Sequence, residues 1–142
     1  AAKALAEDWF NRGAILEALD AEAAQEAYEQ ALAANPCHPG AATNLGRLLH
    51  EGGQLDAAER VYRTGLAACG SDALLHYNLG ILLEDMGRVD EAMQAYERAL
   101  SDDAGMADCH YNLARLYEAQ GRTREAIRHL ARYRRLAGEE QG

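Results

Sequence analysis

The sequence predicts an all-α fold, a stack of paired helices, and three observations lead there. Apolar residues make up 49% of 142 residues, Ala and Leu dominate, and only two residues are Pro. Ala and Leu give up little side-chain freedom in a helix. The chain also repeats itself. Asn44-Leu45-Gly46 returns 34 residues later as Asn78-Leu79-Gly80, then again as Asn112-Leu113-Ala114. Gly53, Gly87 and Gly121 keep that step, as do Ala58, Ala92 and Ala126, and Tyr62 and Tyr96 with Leu130 in third place. Register held over so long a span marks an array of like units. Finally, within a unit the apolar residues recur at three- and four-residue steps, the period of a helix face.

Each unit divides into two helices of about a dozen residues. Unit one offers Trp9, Gly13, Leu16, Ala24, Tyr28, Ala31 and Pro36. It is one residue short between Gly13 and Ala24, which predicts a tighter turn between its helices. Unit two offers Leu45, Gly46, Leu49, Ala58, Tyr62 and Gly65, with Gly70 closing it. Asp56 and Glu59 have capping-box spacing there. In unit three the first helix is predicted from Ala73 to Met86, with the stripe Leu75, Leu79, Leu82, Leu83 and Met86. Gly87 ends it, because glycine takes the left-handed cap conformation without a Cβ clash. Asp90 is the expected cap of the next helix, whose stripe is Ala92, Ala95, Tyr96, Ala99 and Leu100. Unit four offers Leu113, Ala114, Tyr117 and Ala126, with Tyr133 where a small residue is expected. Its last helix is predicted from Arg124 to about Leu136. Ile127, Leu130, Tyr133 and Leu136 lie on one side of that helix and arginines on the other. That side either closes the stack under Tyr133 and the arginine stems or supports weak self-association.

The small residues, Gly46, Gly80, Ala58 and Ala92, let paired helices approach closely. Tyr62 and Tyr96 fill the space towards the following unit. One unit cannot bury its own face, so neighbours supply the stability.

These residues resemble the tetratricopeptide repeat family over positions 6–137. The resemblance implies one domain spanning 1–142, a right-handed superhelix of four repeats and eight helices. The repeats fall at about 6–38, 39–72, 73–106 and 107–137, with a tail at 138–142. It further implies a non-catalytic protein-interaction module whose first helices line a concave groove. The sixth positions of the four units are Asn11, Asn44, Asn78 and Asn112. Asn is a mediocre helix former, and its carboxamide both donates and accepts. The pattern is similar to the asparagine ladders by which some members hold a peptide backbone. Packed helices lie ~8–10 Å apart and an extended chain advances ~3.3 Å per residue, so each Asn meets about every third residue. Arg47, Arg115, Tyr77 and Tyr111 join the candidate peptide-binding set, with Phe10 and Thr43 beside the other Asn. Glu51, Glu84, Asp85 and Glu118 lie at the far ends of the same helices. Lys3 is the sole lysine, which speaks against the basic carboxylate clamp of other members. Segments 44–51, 78–85 and 128–136 are also similar to the repeat region of some bacterial MerR-like helix–turn–helix regulators. That resemblance offers a second reading, a sensory or assembly segment of a larger regulator.

Charge narrows the partner class. Residues 1–121 carry a net −12 and residues 122–142 a net +3, which sum to the −9 of the chain. An acidic body repels phosphate backbones, so nucleic acid is not an expected partner of this segment. No apolar run approaches the ~20 residues of a membrane span, and no secretory signal opens the chain. It opens without Met, as a processed product or excised segment would. Cys37, Cys69 and Cys109 are odd in number and widely spaced, which reads as reduced thiols of a cytoplasmic protein. Cys37-His38 and Cys109-His110 are adjacent pairs without the spacing of a metal site. His76 and His110 fall where Trp9 stands in unit one, as packing residues. With no nucleophile–base constellation and no phosphate loop, neither catalysis nor a cofactor is expected.

Overall fold

The computed structural model describes residues 1–141, with side chains as far as Gly138. Eight helices and no strand occur among them: α1 (Ala2–Leu16), α2 (Ala21–Ala34), α3 (Pro39–Glu51), α4 (Leu55–Cys69), α5 (Ala73–Asp85), α6 (Val89–Asp102), α7 (Ala107–Ala119) and α8 (Thr123–Gln141). Each odd helix packs against the even helix after it, and each even helix against the next odd one. The all-α expectation holds.

Glycine against tyrosine sets how closely the pairs approach. A Cβ on Gly13 would stand 2.6 Å from the Tyr28 ring, on Gly46 2.1 Å from the Tyr62 ring, and on Gly80 2.6 Å from the Tyr96 ring. No side chain larger than hydrogen fits those places unless the ring moves. All three tyrosines are completely or almost completely buried. They join Leu45, Leu75, Leu79, Leu82, Leu83 and Leu113 in one continuous core that runs through the stack.

Gly53, Gly87 and Gly121 have φ of 81°, 76° and 76° at the ends of α3, α5 and α7, the left-handed region expected of Gly87 and shared by its two repeat counterparts. Unit one lacks such a glycine. There α1 stops at Leu16 and residues 17–20 make the turn, against three residues in the other units. The predicted tighter turn is therefore wrong: the missing residue shortens the helix instead. Asp20 then accepts from the Ala23 backbone N–H and starts α2.

Two predicted caps also fail. Helix α6 begins at Val89, so Asp90 lies inside its first turn and not at the cap. Helix α4 begins at Leu55 after Gln54, with no side-chain cap. Glu59 is drawn to Arg63 and Arg88 instead, at 2.8 Å each. The final helix runs beyond Leu136 to Gln141.

The largest correction concerns the cysteines. Cys37 and Cys69 form a disulfide, with Cα atoms 4.9 Å apart. Their separation of 32 residues is close to one repeat, and stacking sets successive inter-unit loops side by side. Sequence spacing alone looks wide; folded, it is a nearest-neighbour distance. Cys109 stays free and buried, its thiol donating to the Tyr96 carbonyl at 3.2 Å. Burial, with the nearby Glu97 carboxylate second, pushes that thiol up to about 12. In the native protein at pH 8, thiol titration is therefore expected to find no reactive group. Denaturation should expose one, and denaturation with reductant three; two reactive groups in the native protein would contradict the disulfide.

Candidate functional site

The four sixth-position asparagines are not equivalent. Asn11 is exposed, and Asn44, Asn78 and Asn112 are half-buried. Asn44 donates to the Tyr28 hydroxyl at 3.2 Å and Asn112 to the Tyr96 hydroxyl at 3.4 Å. Each bond runs from a first helix back to the second helix of the preceding unit. It uses one N–H and leaves the carboxamide oxygen as an acceptor; the Asn112 amide also meets the Tyr77 hydroxyl. Asn78 instead donates to the Leu74 carbonyl one turn earlier in its own helix, at 2.9 Å.

Arg47 and Arg115 explain the difference. Arg47 reaches Glu17 at 2.7 Å and Glu51 at 3.3 Å. Arg115 reaches Glu84 at 2.8 Å, and Glu84 also accepts from Tyr96 at 2.6 Å. So Asn44, Tyr28, Arg47 and Glu17 at the first junction match Asn112, Tyr96, Arg115 and Glu84 at the third. At the middle junction Ile81 stands in the arginine's place. No quartet forms there, and Asn78 turns to its own backbone. The two arginines are thus already paired with carboxylates. Sequence reading named them, and placed Glu51 and Glu84 at the far ends of the same helices, but missed Glu17; Glu17 and Glu84 each follow a first-helix glycine, Gly13 or Gly80, by four residues.

Electrostatics follow this layout. Burial opposes the charge on Arg47, but its bonds to Glu17 and Glu51 outweigh that and raise its pKa. Arg115 is raised chiefly by Glu84. Burial raises Tyr28 and takes Tyr62 up to about 12. Tyr96 is raised further, by burial first and then by the carboxylate it donates to. These phenols remain neutral hydrogen-bonding groups at any physiological pH.

Tyr77 is half-buried, its ring 5.9 Å from that of Tyr96. Tyr111 is 47% exposed and lies 5.1 Å from the Tyr133 ring, so the large residue of unit four packs onto a candidate binding residue. Phe10 packs between Tyr28 and His38, and Thr43 is buried. Further side-chain pairs tie α1 to the start of α3 and unit two to unit three: Glu7–His38 at 2.9 Å, His50–Asp85 at 2.5 Å and Glu59–Arg88 at 2.8 Å. Among the described residues no group of His, Cys, Asp or Glu could hold a metal ion, and no helix is long and apolar enough to cross a membrane.

The comparisons with known proteins agree with this architecture. The family model described as tetratricopeptide repeat matches residues 16–80 and 83–141. No curated protein matches the chain. Among solved structures, a crystal structure of MamA superposes with a TM-score of 0.84 at 20% identity, covering 96% of this chain and 80% of that one. MamA from Desulfovibrio magneticus RS-1 superposes at 0.78 with 22% identity, covering 96% and 78%. At such identities the likeness is one of fold.

Proposed function

Since the chain belongs to the tetratricopeptide repeat family, a fold of interaction modules, we propose that it holds an extended segment of a partner protein along its first helices. The observation that carries this reading is the pair of quartets at the first and third junctions. Tyr28 and Tyr96 fix the carboxamides of Asn44 and Asn112 and leave their oxygens to accept from a peptide N–H. Between them the middle junction presents Tyr77 and Ile81, both half-buried. A segment with an apolar residue flanked by backbone peptide groups suits that order. Arg47 and Arg115 shape the row through Glu17 and Glu84 and do not offer an unpaired charge. The module binds and does not catalyse. The disulfide fits an oxidising compartment better than the reducing cytoplasm.

The test is a peptide selected by display on the protein, measured against the Asn44→Ala, Asn78→Ala, Asn112→Ala triple variant. At ~1 kcal/mol per lost bond, affinity should fall by about a hundredfold. Thermal unfolding serves as the control for folding. A well-folded triple variant that binds as tightly as the parent would sink the reading.

A further inference from the structure

Faces that are buried at the internal junctions of the stack are exposed at its two ends. Inside the stack, one face of each first helix meets the second helix of the unit before it. In unit four Cys109 donates to the Tyr96 carbonyl of α6 at 3.2 Å, and Leu116, two turns further along that face, is buried. In unit three Leu75 and Leu82 hold the same places and are fully buried. In unit one the places fall to Asp8, which is exposed, and Ile15, which is 69% exposed. Leu5 and Leu19 extend this stripe, at 52% and 77% exposed. Beside it a groove of about 560 Å³ opens between α1 and α2, lined by Trp9, Leu16 and Ala27 and edged by Glu26 and Glu29. The matching groove in unit three has Leu66 and Ala67 of the preceding second helix, α4, as a further wall.

The other end shows the converse. The α6 face that meets unit four carries Met93, Tyr96 and Leu100, all buried, and Glu97 there accepts from the Tyr117 hydroxyl at 2.9 Å. One period on, in α8, the three places hold Ile127, 62% exposed, Leu130, half-buried, and Arg134, exposed. The inward side of α8 is occupied: Tyr133 packs on Tyr111, and Nδ1 of His129 lies 3.0 Å from Nδ1 of His110.

Two observations indicate what covers these faces. The first is charge. Residues 1–38 carry seven acidic and two basic side chains, whereas residues 122–142 carry six arginines and three glutamates. Of those arginines only Arg122 is paired among the described residues, with Glu125 at 3.6 Å. The second is helix length. Helices α3, α5 and α7 all start at the place that Ala6 holds in unit one, yet α1 starts four residues earlier, at Ala2. Helices α2 and α6 end at the place of Leu136, yet α8 runs five residues further, to Gln141. Successive helices are antiparallel, so the end of a second helix lies beside the start of the first helix that follows it. The two overhangs match in length and fall on the same side of such a junction.

We propose that a second copy of this chain covers both faces, head to tail: α8 of one copy packs on α1 and the α1–α2 groove of the next. The contact repeats the internal junction. Ile127 and Leu130 meet Ile15, Arg134 meets Asp8, and Leu136 with Ala137 meets Leu5. The other arginines of α8 lie along the acidic α2. Arg12, one of the two cations of the head, stays over the Trp9 ring at 4.4 Å. Such an interface joins unlike surfaces and does not close on itself, so copies add one after another. It uses the ends of the stack and leaves the asparagine row open.

Sedimentation velocity of the parent from about 10 μM to about 1 mM tests this. The expected weight-average mass climbs past that of a dimer, and falls when salt is raised from about 0.05 M to about 0.5 M. Ile15→Glu and Ile127→Glu each block one end, weaken association at least tenfold and, alone, stay monomeric. Both side chains are exposed, so circular dichroism and thermal unfolding of the variants should match the parent. Mixed in equal amounts, the two variants form a 1:1 dimer and nothing larger, because each keeps the end that the other has lost. A parent that stays monomeric, association that stops at a dimer, self-association by folded Ile15→Glu alone, or folded variants that fail to pair would overturn the proposal.

Discussion

Tyr62→Ala should lower the free energy of unfolding by about 3–5 kcal/mol, the range for removing a large buried ring. Tyr62 is 1% exposed and lies against Gly46 of its own unit. Its loss opens a cavity where two helices and the next unit meet. A domain holds about 5–15 kcal/mol in total, so this one change removes a large share. Urea titration followed by circular dichroism measures it. The partner change is Gly46→Ala, in which two effects compete. Alanine gains about 1 kcal/mol of helix propensity over glycine. The new methyl would stand 2.1 Å from the Tyr62 ring, and overpacking costs about 1–3 kcal/mol. Since backbone on one side and core on the other confine the ring, a net loss is expected. A variant more stable than the parent would show that the close approach is not needed.

Opening the disulfide ranks second. Cross-linking residues 32 apart removes unfolded-chain entropy worth about 3–4 kcal/mol in the loop-closure account. The Cys37→Ser, Cys69→Ser double variant should therefore unfold at markedly lower denaturant, as should the parent in reductant. Addition of reductant should leave the double variant unchanged. An equal midpoint for parent and variant would mean that the bond contributes nothing. Because the cross-link joins the α2–α3 loop to the end of α4, the loss should concentrate in the first two units. Hydrogen exchange would show faster opening in α1 to α4 than in α5 to α8.

The stack was readable because its determinants are local and periodic. Gly46 and Tyr62 are sixteen residues apart, and their period is repeated at Gly80 and Tyr96, so the pattern announces itself before any contact is known. The candidate row was named but only half understood. Asn44 and Asn112 looked like Asn78, yet a neighbouring Arg47 or Arg115 against Ile81 separates them. The disulfide was missed because 32 residues is a long interval along a chain and a short one across a solenoid. The His110–His129 contact was missed for a similar reason: His129 has no counterpart in the other units, so periodicity could not point to it. Asp56 and Asp90 were misread as caps because a carboxylate near a helix start suits the first turn as well as the cap.

The pairs that bridge neighbouring units make the chain editable by whole periods. Excising residues 73–106 would join Asp72 to Ala107 and bring Arg122 to the place that Arg88 holds beside Glu59. Asn112 would stand where Asn78 stood, and Leu113 where Leu79 stood. An excision that is not a whole number of periods would break the register at every one of those points together. Chain length in this architecture therefore comes in steps of thirty-four, and a shorter or longer sibling can keep its seams intact.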